Sequence, residues 1–297
     1  MDSVRIRQMF PDDVPAAAHA EAAAFLEVDR MGRLWNEPEP APPDEASRRR
    51  WIAGMGHHLA TDPGGCRVAE SDAGEIVGFA VSQNRGGFWY LASYGVVPGL
   101  QSKGVGTRLL DAALAHADGR PGMISSSPHP GATRRYRRAG FTMLPEMRMT
   151  GRVDRAALPA LDGLRDGRRD DLEWMDALDE RLRGGGHGPD HVHMLDDLGL
   201  RLVVSASPAE RPGYVYINEE SGHSVLLAAA DVETAEKLLW EALAHAHEET
   251  VINRITSGNQ WAIDVGLDAR LDLGQTGYLA LRGLPEPVPY LASGHHL

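Results

Sequence analysis

The run Gln101-Ser102-Lys103-Gly104-Val105-Gly106-Thr107 follows an apolar strand pattern that ends Gly95-Val96-Val97-Pro98. It leads into Val105, Leu109 and Ala113, an apolar stripe at helical spacing. A helix start presents unpaired backbone N–H groups and the positive end of the helix dipole. Glycines there let a pyrophosphate approach the backbone closely. The chemistry on offer is therefore the binding of a phosphorylated cofactor. A dinucleotide fold would place Gly-x-Gly-x-x-Gly straight after the strand, and a P-loop would carry Gly-Lys-Ser or Gly-Lys-Thr. Neither is present. The run is either a phosphate loop of another kind or a ligand-free strand–turn–helix connection. A second candidate is Tyr136, in Ala132-Thr133-Arg134-Arg135-Tyr136-Arg137-Arg138-Ala139-Gly140-Phe141; it is a proton donor or an amphipathic core residue. His187-Gly188-Pro189-Asp190-His191-Val192-His193 carries metal-compatible side chains. Its spacing and loop setting fit no closed zinc pattern, and no metal is expected.

Val-Val-Pro followed by Gln-x-x-Gly-x-Gly resembles the coenzyme A pyrophosphate loop of the GNAT superfamily of N-acetyltransferases. Ala132, Tyr136 and Gly140-Phe141 are similar to that family's second motif, a short helix and a strand downstream as the family has them. The resemblance implies acetyl-CoA as co-substrate. It places the pantetheine arm and thioester on the backbone of Val96 and Val97. The pyrophosphate falls on Gln101, Ser102, Lys103, Gly104, Val105, Gly106 and Thr107. Tyr136 falls on the tyrosine that protonates the departing thiolate. Two positions depart from the family. Where some members carry a strand carboxylate as general base, this chain has Tyr90, in an acid-free strand. The base is then Tyr94, a first-helix residue such as Glu21 or Glu27, a group from the second half, or water. Where many members have an asparagine against the pantetheine arm, this chain has His129, which substitutes for it or starts a turn. The region of Trp35 and Glu37 corresponds to part of the acceptor wall. These two contact the acceptor or are a packed aromatic and a solvated acid.

The elements that must position these residues read as follows. Val4–Arg7 alternates as a strand, and Asp12-Asp13 caps a helix through Ala16–Leu26. Pro38, Pro40, Pro42 and Pro43 force a loop before a helix from about Asp44 to Leu59. Cys66–Glu70 and Ile76–Gln83 form a hairpin, and Phe88–Val97 a long strand. Gly104–Ala117 is a helix, Met123–Ser126 a strand, Ala132–Ala139 a helix, and Phe141 starts another strand. In the second half, Arg165–Asp171 and Gly184–Gly186 read as loops around a Leu172–Leu182 helix. Strands follow at Arg201–Ala206, Gly213–Asn218 and Ser224–Ala229, then a helix over Asp231–Ala246, a strand over Val251–Ile255 and a helix over Asn259–Gly266. This repeats the first half without its early helices. Asn259-x-x-Ala262-x-x-x-Gly266-Leu267 is similar to a worn second motif. Asp231, Glu233 and Glu236 stand where the phosphate loop should be and would repel a pyrophosphate.

The expected fold is therefore α+β: two GNAT-like domains, each a mixed, mostly antiparallel sheet flanked by helices. Residues 1–153 would be the catalytic domain. Residues 154–297 would be a degenerate copy that completes the acceptor pocket, with an unrelated α/β domain as the alternative. A length of 297 residues suits two domains. Acidic residues outnumber basic ones by 42 to 30, a net charge of −12, which argues against nucleic acid and anionic membranes as partners. It suits a cationic small-molecule amine as acceptor, with a protein amine as the alternative. One cysteine, Cys66, excludes an internal disulfide and suits the cytoplasm. It also offers no motif-borne nucleophile, so direct transfer in a ternary complex is expected. There is no signal-peptide core and no apolar run long enough to span a bilayer. The excess of arginine over lysine, with abundant Ala, Gly and Pro, reads as the codon bias of a GC-rich bacterium. A monomer or homodimer is expected. The other class of function consistent with the acid-free strand is an acyl-CoA-binding regulatory protein without catalysis.

Overall fold

The computed structural model describes residues 4–33, 38–101, 103–219 and 221–294. Trp35, Glu37, Ser102 and the His295-His296 tail lie outside the described residues. The chain divides into two units. Unit 1 comprises Met1–Asn84 and Trp89–Phe141, and unit 2 comprises Arg85–Phe88 and Thr142–Leu297. The expected boundary, between residues 153 and 154, falls one strand beyond the 141/142 division.

Unit 1 opens with β1 (Val4–Gln8). Arg7 on this strand pairs with Asp13 at 2.6 Å, and Asp13 also accepts from the Phe10 N–H at 2.8 Å. That pair fixes the entry into α1 (Val14–Gly32), whose buried face is Val14, Ala17, Ala18, Ala20 and Ala24. Asp44 caps α2 (Glu45–Thr61) by accepting from the Ser47 N–H at 2.7 Å. The strands β2 (Cys66–Ser71), β3 (Ile76–Arg85) and β4 (Phe88–Val96) follow. Then come α3 (Val105–Ala117), β5 (Gly122–Ser126) and α4 (Pro130–Arg138). The strand order is β1-β2-β3-β4-β5. The early pairs are antiparallel, while β4 and β5 run parallel. Small residues let α1 lie directly on β4: a Cβ placed on Gly95 would stand 3.1 Å from the Cβ of Ala24.

Unit 2 begins with β6 (Thr142–Arg152) and β7 (Leu164–Asp166). Next are α5 (Leu172–Arg183) and the short α6 (Pro189–Val192), continued by a wide helical turn over His193–Asp197. The strands β8 (Arg201–Ser205), β9 (Gly213–Asn218) and β10 (His223–Ala229) lead to α7 (Val232–Ala244). The chain ends with β11 (Glu249–Ile255), α8 (Gln260–Asp268), β12 (Asp272–Arg282) and β13 (Tyr290–Leu291). Within the unit, β12, β6 and β11 are neighbours, and a second sheet runs β13-β10-β9-β8-β7. The core gathers Leu238, Leu239, Ile252, Ile255 and Trp261, all buried.

From β7 onward unit 2 repeats the element order of unit 1. The early helices, absent from the expected repeat, are present as α5 and α6. The α5 helix is expected as Leu172–Leu182, but α6 and the strand before α5 are not: β7 is three residues long and two of them, Arg165 and Asp166, are charged. Arg165 pairs with Asp171 at 2.6 Å, which holds that charged run as a strand against β8 instead of a loop.

Candidate functional site

Parallel pairing between β4 and β5 is confined to Trp89 with Gly122 and Tyr90 with Met123. Beyond Tyr90 the two strands part, and the last residues of β4 have an edge that β5 does not fill. The Val97 N–H donates to the Val77 carbonyl on β3 at 3.0 Å. By strand alternation the Val96 N–H faces the opposite, open edge. Val96, buried, is thus the better placed of the two expected thioester contacts, and Val97 supports it within the sheet.

The loop after β4 closes on itself. The Gln101 side-chain amide donates to the Val96 carbonyl at 3.4 Å. Gly104 precedes α3 with φ +84°, a left-handed conformation that favours glycine, and no atom lies within 4 Å of where its Cβ would be. That open space lies beside the N–H groups of the α3 N-terminus, the positive end of the helix dipole. Val105 and Gly106 are buried, whereas Lys103 and Thr107 are exposed. Gly106 has a packing reason too. A Cβ there would stand 2.6 Å from the Tyr94 hydroxyl and 2.9 Å from the Arg135 guanidinium carbon. The Tyr94 hydroxyl donates to the Gly106 carbonyl at 2.7 Å, tying β4 to the first turn of α3. Of the four arginines on α4, Arg134, Arg137 and Arg138 are exposed, while Arg135 is half-buried beside Gly106.

Tyr136 is buried on α4, with its ring 6.3 Å from that of Tyr94 and 6.4 Å from that of Phe141. Burial lifts its phenol well above the ordinary tyrosine range, so the hydroxyl keeps its proton. Tyr94 is likewise pushed up to about 12 by burial, against the opposing charge of Arg135. A phenol that stays protonated and already donates to Gly106 is a poor general base. Glu21 differs. Burial, reinforced by Asp29, raises its carboxyl to about 7. It lies one turn of α1, about 4.5 Å of rise, from Ala24, the residue seated on Gly95. Glu27 lies one turn to the other side, and its charge reaches His129.

His129 resolves as the start of a helix. Its Nδ1 accepts from the Gly131 and Ala132 N–H groups at 3.1 and 3.3 Å, capping α4 and leaving the ring proton on Nε2. Burial, with Arg135 nearby, lowers its pKa and favours that neutral form. Cys66 is fully buried, and burial above all holds its thiol up at about 12, so it is no nucleophile.

The corresponding place in unit 2 is filled. β10 ends just before α7, as β4 does before α3. Along its edge β13 pairs Leu291 with Leu227 and Tyr290 with Ala228, and the Ala229 N–H donates to the Pro289 carbonyl at 3.3 Å. Asn259 fastens this segment. Its amide donates to the Pro287 carbonyl at 3.2 Å, and its carbonyl accepts from the Tyr290 N–H at 2.9 Å. At the start of α7, Asp231 caps the helix by accepting from the Thr234 N–H at 2.9 Å, and Glu233 pairs with Arg211 and Lys237. Unit 2 therefore has neither an open strand edge nor a glycine loop at this place. Sequence reasoning missed β13 because a two-residue strand among Pro285, Pro287 and Pro289 carries no strand period.

Among the described residues no helix is long and apolar enough to cross a membrane. The family model described as "Acetyltransferase (GNAT) family" matches residues 28–141. No curated protein matches the chain. Among solved structures, a Pyrococcus horikoshii protein described as an acetyltransferase candidate aligns with TM-score 0.74 at 17% identity, covering 99% of this chain and 96% of that one. A GCN5-related N-acetyltransferase from Kribbella flavida aligns with TM-score 0.60 at 18% identity, over 94% of this chain and 71% of that one. One from Sphaerobacter thermophilus aligns with TM-score 0.58 at 16% identity, over 96% of both. The likeness extends over nearly the whole chain and fixes the fold class, mixed α and β. The family-model match at residues 28–141 takes in the open β4 edge, the glycine loop and Tyr136.

Proposed function

We propose that the protein transfers an acetyl group from acetyl-CoA to the amine of a small molecule, by direct attack within a ternary complex in unit 1. The observation that carries this reading is the parting of β4 from β5 beside the Gly104 turn, with Tyr136 packed next to it. Val96 offers a backbone donor to the thioester carbonyl. The N–H groups from Gly104 into α3, with Arg135, oppose the pyrophosphate charge. The thioester supplies the activated acyl group.

The chain's own residues then have two protons to manage. A free alkylammonium has a pKa of about 10 and must be neutral to attack. Glu21, held near 7, is ionised above that pH and able to accept the amine's proton. Tyr136, kept protonated by burial, supplies a proton toward the departing sulfur. Cys66, buried and protonated, supports direct transfer over an acyl-cysteine route. The acid-rich surface suits a cationic acceptor. We further propose that the two units are a GNAT-like tandem in which unit 2 takes no coenzyme, its β10 edge being covered by β13. The one buried cysteine and the arginine-rich composition suit a bacterial cytoplasmic enzyme.

Thermal unfolding with acetyl-CoA and with free coenzyme A, on wild type and Gly104→Asp, tests this. Ligand at 100 times its Kd adds about 2.7 kcal/mol to the folded state. The variant places a carboxylate in the phosphate's space and is expected to lose the shift. A wild type that stays folded and shows no shift refutes coenzyme binding. Thiol release across a panel of small amines and lysine-containing peptides then separates the acceptor classes. Binding without turnover on all of them would assign the protein as a non-catalytic acyl-CoA binder.

A further inference from the structure

Inside unit 2 three buried side chains converge. Asp179 lies on α5, His187 in the glycine-rich segment after it, and His191 on α6; all three are fully buried. The Asp179 Oδ2 is 2.7 Å from His187 Nδ1 and 3.2 Å from His191 Nε2. One ligand atom from each residue lies within 4.8 Å of the other two. His191 Nε2 faces the carboxylates of Asp179 and Asp176 at 3.2 and 3.5 Å, and His187 Nε2 is buried without a hydrogen-bond partner. A buried imidazole nitrogen normally has one.

We propose that Asp179, His187 and His191 form a structural Zn(II) site that pins the segment between α5 and β8. Tetrahedral zinc with ligands at about 2.0–2.2 Å sets neighbouring ligand atoms about 3.3–3.5 Å apart. The His191–Asp179 spacing is already close to that. The His187–Asp179 contact need open by only about 0.6 Å to reach it. Asp179 and His191 each have an outer partner of the kind metal sites use. The Tyr214 hydroxyl donates to the second oxygen of Asp179 at 2.7 Å. The Tyr216 hydroxyl is 3.2 Å from His191 Nδ1, placed to accept that proton when Nε2 holds the ion. In the ion-free state the His187 Nδ1–H donates to Asp179. On binding, that proton moves to Nε2 and the Nδ1 lone pair turns to zinc, so both rings stay neutral and no proton is released.

The fourth position belongs to Asp176 or water. Asp176 Oδ1 is 3.5 Å from His191 Nε2 and accepts the N–H groups of His187 and Gly188 at 2.7 and 2.8 Å. Its side chain is 35% exposed, which leaves an entry path on that side. The charges facing the cluster also favour a cation. Asp176 and Asp179 are negative, and Arg183, stacked 4.6 Å above the Phe88 ring, is positive. The buried Arg85–Asp190 pair at 2.7 Å is neutral as a unit. The sum before the ion arrives is one negative charge. In the sequence, the run from His187 to His193 offers metal-compatible side chains in no closed pattern; Asp179, eight residues before His187 on a different element, completes the set.

The test is Zn(II) titration of the chelator-stripped full chain against a chromophoric competitor, with Co(II) as the spectroscopic probe. One ion per chain and the intense visible bands of tetrahedral Co(II) are expected. Asp179→Asn and His191→Ala should weaken binding at least tenfold. Tyr216→Phe, which keeps every ligand, should weaken it about 10–100-fold through the outer partner alone. Hydrogen exchange on the wild type guards against variants that fail to fold: amides of residues 184–198 should gain protection with Zn(II). A folded wild type that takes up no ion at tenfold excess, or gains no protection, overturns the site. So does unchanged affinity in a folded His187→Ala/His191→Ala chain.

Discussion

Asn259 gives the most quantitative handle on unit 2. It is 1% exposed, and its side-chain amide is fully used. Nδ2 donates to Thr256 Oγ1 at 2.9 Å and to the Pro287 carbonyl at 3.2 Å. Oδ1 accepts from Trp261 Nε1 at 3.1 Å and from the Tyr290 N–H at 2.9 Å. Asn259→Ala removes all four bonds and leaves the indole N–H, the Tyr290 N–H and the Pro287 carbonyl buried and unpaired. At about 1 kcal/mol net per bond, with partial relaxation of the orphaned groups, the loss is about 3–4 kcal/mol. Urea unfolding followed by the fluorescence of the unit 2 tryptophans should show it as a lower midpoint. Asn259→Asp separates the bonding argument from simple loss of volume. Ionised, the new carboxylate keeps its two acceptor contacts but turns a bare oxygen toward the Pro287 carbonyl. Protonated, it recovers one donor. Its folded pKa is therefore raised above the unfolded value of about 3.9. Such a group's stabilisation is complete below the unfolded pKa and is lost as pH rises through the folded one. The aspartate chain should thus exceed the alanine chain in stability near pH 4 and lose that advantage by pH 7. A loss below 1 kcal/mol in the alanine chain, or pH-independent stability in the aspartate chain, would refute the claim that Asn259 locks β13 onto β10.

Two further predictions concern unit 1. Tyr136→Phe should lower kcat by about 10²–10⁴-fold with little change in coenzyme Kd, since it removes a proton donor and keeps the ring; pre-steady-state thiol release and isothermal titration read the two effects. Glu21→Gln should remove the acidic limb of the pH–rate profile near 7. Because burial raises this carboxyl, the unfolded state ionises first as pH rises, and wild type gives up stability between the unfolded pKa of about 4.3 and the folded value of about 7. The glutamine chain should therefore be the more stable one at pH 8 and equal to wild type at pH 4, which thermal unfolding at the two pH values would show or deny.

The parts of this molecule that could be read from the chain are those whose physics is local. The glycine loop is legible because a left-handed turn before a helix demands Gly104, and because Gly106 leaves room for Tyr94 and Arg135. The long strands and the amphipathic helices α3 and α7 announce themselves by their period. What escaped is short or assembled from distant residues. β7 is three residues held by the Arg165–Asp171 pair, and β13 is two residues held by Asn259, a side chain 31 positions upstream of Tyr290. The same division runs through the site. Tyr136 is singled out by its motif. Which candidate base is poised depends on how deeply each side chain is buried, and no spacing encodes that. Tyr94 and Glu21 look equally eligible in one dimension. The fold gives Tyr94 a hydrogen bond to donate to Gly106 and holds the Glu21 carboxyl near neutrality, so it separates a structural hydroxyl from a group able to take a proton. Asp179 illustrates the point in reverse. As one acid on an amphipathic helix it has no signal of its own, and only the fold brings it, from α5, against the imidazoles of His187 and of His191 on α6. Motifs can locate a cofactor, but burial and convergence decide which residues beside it can do chemistry.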